Sequence, residues 1–269
     1  MLCHYCGYAE KVPSTCPKCG SDYIQFLGSG SERVEDEIHQ YLPIARVSRL
    51  DRDSASGKGA FETILQAFRD RDIDILVGTQ MIAKGHDIPN VTFVGVVLAD
   101  IGLSMPDFRS AERSFQLLTQ AAGRAGRGDS PGRVIIQTLN PDHYAVRYAA
   151  EQDYEGFYKK ELEFRKWLRY PPFSACANIL VRADKQEEAL RMASEISFIL
   201  NPPPEGVRVI GPAEAPVLRV RNEFRYQILL KAAKRSMLRQ LVHKLRDFAI
   251  AERWKATALT IDVDPISLM

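Results

Sequence analysis

Arg124 and Arg127 lie three residues apart in QAAGRAGRG (120–128), among glycines and alanines with no large apolar side chain. Such a run is poor core material. Two guanidiniums placed there are suited to meeting an anion, because they stay ionised at any relevant pH and donate paired, charge-assisted bonds. The glycines allow a close approach to phosphate oxygens. A second polar cluster occupies VGTQMIAKGHDIPNV (77–91), where Thr79, Lys84, His86 and Asp87 stand in a glycine-punctuated loop. It begins where the apolar run DILVGT (74–79) ends, and open parallel sheets place ligands at the carboxyl ends of their strands. Read alone, the stretch could be a plain surface loop. Joined to the arginine run, it suggests a phosphate site.

Four cysteines form a third cluster: Cys3-x2-Cys6 and Cys16-x2-Cys19, each followed by glycine. A two-residue gap lets both thiolates face one tetrahedral ion, and glycine permits the tight turn behind them. Zinc is the expected occupant, with a disulfide or redox pair as the alternative. His4, between ligands, is expected to be an exposed polar residue. Cys176 stands alone in an apolar run and reads as a small buried hydrophobe. SGKG (56–59) is not a phosphate-binding loop, since no glycine stands five residues before Gly57 and no Ser or Thr follows Lys58.

Elements must position these groups. YIQFLG (23–28), IARVSRL (44–50), DILVGT, VTFVGVVLAD (91–100) and RVIIQTL (133–139) read as strands. The third and fourth are nearly all apolar, which suits strands covered on both faces in a parallel sheet. Ser29 or Ser31 can cap a helix over ERVEDEIHQYL, with Glu32 or Glu35 near its positive end. AFETILQAFRDR and SAERSFQLLTQAAGRAG read as further helices. A long helix over roughly 142–168 leads to RYPPF (169–173), which stops it. The remainder alternates β-α-β-β-α-β, the order of a ferredoxin-like or related α+β sandwich.

The chain has 269 residues, 45% of them hydrophobic, and a net charge of +2. That length suits one large domain or two ordinary ones, with a real core. A basic face must come from local clustering, not from global excess. No apolar run approaches the roughly 20 residues needed to span a bilayer, so no membrane role is expected. MLCHYCGYAE lacks the basic and apolar regions of a signal peptide, which favours the reducing cytoplasm.

GTQMIAKGHDIPNV resembles motif V, and QAAGRAGR motif VI, of superfamily 2 helicases. ADIGLSMPDFRSAERSFQLLTQAAGRAGR is more specific. Together with CHYCG, CPKCGS, GSERVEDEI and RLDRDS it resembles the primosomal replication-restart helicases, over essentially the whole chain. The later residues match more loosely, through RYPPF, GPAEAPVLRVRNEFRYQILLK and DVDP.

The resemblance implies an α/β organisation: a partial zinc module (1–22), a RecA-like second helicase lobe (23–141), a connecting helix (142–172) and a C-terminal α+β domain (173–269). That last domain is similar in the family to a ribosomal protein. It implies an ATP-dependent 3′–5′ DNA helicase acting at stalled forks. Arg124 and Arg127 match its arginine fingers, and Gln120 matches the polar position that opens motif VI. Asp87 matches an acid that touches the ribose or couples to the fingers, with Gly85 and Gly123 also beside the nucleotide. Thr79 matches a contact to single-stranded DNA, with Gln80 and Lys84 next to it. Asp107, Phe108 and Arg109 belong to the family pattern without an assignable role. Arg109 and Arg113 could be solvated helix charges.

The sequence contains no Walker A loop and no acidic Walker B box. The resemblance therefore implies a C-terminal piece that begins inside the zinc region, with ATP and magnesium held chiefly by a first lobe. In the family, eight cysteines bind two zinc ions. With two pairs here, one zinc held by Cys3, Cys6, Cys16 and Cys19 is expected. The implied partners are single-stranded and branched DNA, single-strand-binding protein and other primosome proteins. Lys231, Lys234, Arg235, Arg239, Lys244 and Arg246 form either a solvated helix face or a docking patch for an acidic tail or a phosphate backbone, with Lys234 and Arg235 the candidate partner-binding residues. The alternative to the motor reading is a non-catalytic zinc and nucleic-acid-binding adaptor with a degenerate RecA-like lobe.

Overall fold

The computed structural model describes residues 14–16, 19–22, 30–51, 54, 59–83, 88–126 and 131–269. The strand expected at 23–28, His4 and most of SGKG lie outside them. The chain divides into two compact units. One, called the first unit below, is built of Ile24–Met105 together with Ser110–Lys159. The other is built of Met1–Tyr23, Pro106–Arg109 and Lys160–Met269.

The first unit is α/β. Helix α1 (Ser31–Tyr41) is followed by β1 (Val47–Leu50), α2 (Ala60–Arg69), β2 (Ile75–Gly78) and the short α3 (Gln80–Ala83). Strands β1 and β2 pair in parallel, as the apolar run of β2 suggests. Gly78 is required where they meet, because a Cβ there would lie 2.2 Å from the Leu50 carbonyl oxygen. Ser31 does not cap α1. Its hydroxyl instead donates to the Asp51 carboxylate at 2.5 Å, and the cap position falls on Gly30. Arg49 lies 3.3 Å from the same carboxylate and also faces Glu35, which joins the helix to the strand.

Next come β3 (Phe93–Val96), α4 (Asp100–Leu103), α5 (Ser110–Ala122) and β4 (Arg133–Ile136), with β3 and β4 again parallel. Of this pair, β3 was expected to be covered on both faces and is not. Val96 and Ile136 pack into a cluster with Phe115 and Leu118 of α5, while Phe93 (55% exposed) and Ile135 (46%) occupy the other face. The run 91–100 also stops being strand earlier than its apolar sequence suggests. Asp100 opens α4, and its carboxylate accepts from the Thr138 hydroxyl and the Leu139 N–H, both at 2.9 Å.

The single helix expected over 142–168 is two helices, α6 (Tyr144–Glu151) and α7 (Tyr154–Leu168). Gln152 ends the first in the left-handed conformation at φ 54°, and the Asp153 carboxylate accepts from the Gly156 N–H at the start of the second. An asparagine-like cap and a short acceptor side by side divide the run, although its composition favours helix throughout. Phe157 stacks on Phe115 with centroids 4.0 Å apart, fixing α7 to α5.

The second unit follows the order β5 (Ala175–Ala183), α8 (Gln186–Ile199), β6 (Val207–Val220), β7 (Glu223–Ala232), α9 (Arg235–Ala251) and β8 (Leu259–Val263). This is the expected β-α-β-β-α-β alternation. The sheet order is β6-β7-β5-β8, and every neighbouring pair is antiparallel. Arg221 and Asn222 both take positive φ, the two-residue hairpin turn that matches strand twist. Ile179, Val181, Ile228 and Leu230 from the sheet and Ile196, Leu238 and Leu245 from the helices make the core. Cys176 is fully buried, and burial pushes its thiol pKa up, as suits a packing residue.

Candidate functional site

The site is assembled around α5. Its spacing puts Ala111, Phe115, Leu118 and Ala122 on one buried face, at 3.6-residue periodicity. Gln120 falls on the exposed side of the last turn. Beyond Ala122 the helix tightens. Gly123 N–H donates to the Thr119 carbonyl at 2.9 Å and Arg124 N–H to the Ala121 carbonyl at 3.0 Å. The half-buried Arg124 turns back along the helix, its Nε donating to the Gln120 carbonyl at 3.4 Å.

The loop that follows is held from the other motif. Gly126 N–H donates to the Val91 carbonyl at 2.9 Å, so the end of VGTQMIAKGHDIPNV is tied to the arginine run. Gly126 has φ +78°, and Gly132 lies so close that an added Cβ would sit 2.2 Å from the Gly126 nitrogen. Only glycine fits this crossing, which gives the GRAGRG composition a packing reason beside its proposed anion chemistry.

Thr79 and Gln80 are exposed at the end of β2 and the start of α3, where a buried strand delivers its loop. Helix α3 contacts α5. Lys84, Gly85, His86, Asp87 and Arg127 lie outside the described residues, as do Cys3 and Cys6.

Cys16 and Cys19 share one turn. Gly20 N–H donates to the Cys16 carbonyl at 2.9 Å, Cys16 N–H donates to Ser21, and Gly20 has φ +70°. Cys16 is half-buried and Cys19 exposed. This is the turn that a two-thiolate half-site needs. No group of three potential metal ligands forms among the described residues.

The basic set of the second unit is split. Lys231 is buried, 6% exposed, and leaves the patch: its ammonium donates to the Leu168 carbonyl at 3.1 Å and lies 3.2 Å from the Tyr170 ring centroid. A position in a strand of the core sheet, not on the helix, explains the difference. Burial also pulls the Lys231 pKa below its usual value. Lys234 precedes α9 and Arg235 begins it, both exposed, with Arg235 paired to Asp264 at 2.6 Å. Arg109 and Arg113 are half-buried.

Residues 30–129 match the helicase conserved C-terminal domain, and residues 166–266 match the primosomal protein N C-terminal domain. The replication restart protein PriA of Bacillus subtilis (strain 168) is 45% identical over 271 residues, covering 100% of this chain and 34% of that protein. The chain belongs to the PriA replication-restart family. PriA of Synechocystis is 39% identical over 269 residues, and PriA of Borreliella burgdorferi 39% over 279. Each alignment covers 100% of this chain, which spans 32% and 40% of those two PriA proteins. The chain thus carries the helicase C-terminal domain and the PriA C-terminal domain. No helix among the described residues is long and apolar enough to cross a membrane.

Proposed function

We propose that this chain acts as the second motor lobe and C-terminal domain of an ATP-dependent 3′–5′ DNA helicase in replication restart. One observation carries the reading: the helicase domain match spans the residues that fold into the Gln120–Arg124 turn and the Val91–Gly126 tie. In this reading the first unit is a RecA-like lobe. Arg124 and Arg127 reach the transferring phosphoryl group of an ATP whose phosphates and magnesium are gripped by a first lobe, and stabilise its charge. Asp87, Gly85 and Gly123 border the nucleotide, while Thr79, Gln80 and Lys84 face the single strand. An ATP-driven change at the arginines would then pass to the DNA side through α5 and α3.

Two further assignments belong to the reading. The second unit adopts a ferredoxin-like arrangement, supported by its strand order. Its exposed Lys234 and Arg235 dock the acidic tail of single-strand-binding protein, and the complex works on branched DNA with other primosome proteins in the cytoplasm. One zinc held by Cys3, Cys6, Cys16 and Cys19 would supply local structure only. The test is complementation. This chain alone hydrolyses no ATP, because it lacks a phosphate-gripping lysine and metal-holding acids. Mixed with the first-lobe fragment of a PriA relative, it should restore DNA-stimulated hydrolysis. A silent mixture would favour the non-catalytic adaptor.

A further inference from the structure

Arg182 and Arg225 stand directly opposite each other on the paired strands β5 and β7. Ile179 and Val181 on one strand, and Tyr226 and Ile228 on the other, join the core with side chains of α8 and α9. Strand alternation then turns Arg182, Arg225 and Gln227 to the opposite face of the sheet. All three are half-buried. Every one of these residues belongs to the second unit.

Like charges directly opposite each other on an antiparallel pair are destabilising. Nothing in this unit offsets them. The Arg182 and Arg225 Nε atoms are buried without an acceptor, and Gln227 Oε1 is buried without a donor. Arg182 Nη2 donates to the Thr260 hydroxyl of β8 at 3.1 Å, a neutral partner. The Arg225 side chain makes no hydrogen bond or ion pair among the described residues. Burial, and then the Arg182 charge, pull the Arg225 pKa below its usual value. A guanidinium nevertheless stays ionised at any relevant pH, so the repulsion is not relieved by losing a proton. With both Nε atoms shut off, the two charges can be met only at the outer Nη atoms. These are planar forks of donors that fit the oxygens of a phosphate group. Water could fill the hydrogen bonds there, but only an anion offsets the charge. Gln227 lies two positions along the same face from Arg225, and its amide, turned over, would offer an N–H to the same anion.

We propose that Arg182 and Arg225 form a binding site for an oxyanion of the phosphate class on the face of the C-terminal sheet opposite its helices, with Gln227 and Thr260 at its edges. The anion bridges β5 and β7 and turns a repulsive pair into a neutralised one. This site is distinct from Lys234 and Arg235, which follow the Ala175–Ala232 end of the strand pair. Nearly the whole 9-residue length of β5 lies between them, about 20 Å at roughly 3.3 Å per residue. The site uses no residue of the first unit and does not depend on the helicase reading.

The test is a titration of the nitrogen-labelled 269-residue chain, followed at its arginine Nε–H resonances. The signals of Arg182 and Arg225 are assigned by their loss in Arg182→Gln and Arg225→Gln. The probes are inorganic phosphate, with chloride at matched ionic strength as control, and a single-stranded oligonucleotide. Phosphate should shift both resonances together, with a Kd in the millimolar range or below. Each glutamine variant should weaken binding at least about tenfold, the cost of one charge-assisted fork. Arg225→Lys keeps the charge and loses the fork, and should fall between parent and Arg225→Gln. Shifts produced by the oligonucleotide and not by free phosphate would support the site and assign its anion to a nucleic-acid backbone. Equal shifts with chloride, or no shift with either phosphate source, would overturn it. If one glutamine variant fails to fold, the other, made on the opposite strand, decides the test.

Discussion

Single side chains in the first unit carry a clear electrostatic signature at Asp51. Burial raises its pKa, but hydrogen bonds from Ser31 and Ser54 and the nearby Arg49 outweigh that and bring it down to about 2. A carboxyl depressed in the folded state stabilises the fold above its ordinary value near 4, and that contribution disappears as pH falls toward 2. Asp51→Asn should therefore destabilise the first unit at pH 7, and the difference from the parent should close between about pH 4 and pH 2. Urea melts at several pH values, followed by exchange at Leu50, measure it. A difference that persists unchanged at pH 2 would contradict the assignment. Asp51 was visible in the sequence only as part of RLDRDS; no spacing rule links it to Ser31, because the contact spans a helix and a strand.

At the scale of elements, legibility followed periodicity. The β-α-β-β-α-β alternation of the second unit and the parallel strands of the first were readable because their apolar runs are long or cleanly bounded. The missed features were local competitions. Gln152 and Asp153 broke a helix whose composition favoured continuation, and Asp100 ended a strand by accepting from Thr138 and Leu139. The patch around α9 lost Lys231 because strand alternation, not helix period, decides where that residue points. The cysteine turn at 16–20 agrees with what a two-thiolate half-site needs, and glycine at φ +70° is its physical reason. Purified chain should contain one zinc atom, with four thiols protected until a chelator is added. Elemental analysis with thiol counting checks this, and a zinc content near zero, or four freely reactive thiols beforehand, would contradict a single closed site.

For the whole molecule, Arg124 and Arg127 could be singled out from residue types alone, as arginines among glycines, whereas Gln120 and Gly123 came only with the family resemblance. The Arg182–Arg225 pair could be read in neither way, because α8 and β6 separate its two strands and no local pattern reports such a pairing. The central claim is that Arg124 and Arg127 serve ATP hydrolysis rather than folding. The direct measurement is DNA-stimulated ATPase of Arg124→Ala and Arg127→Ala in the chimera with the Bacillus subtilis relative, beside thermal melts of both variants. Turnover should fall by about 10³-fold or more, the scale of a lost arginine finger, with melting unchanged. Near-parental turnover in both variants would contradict the account.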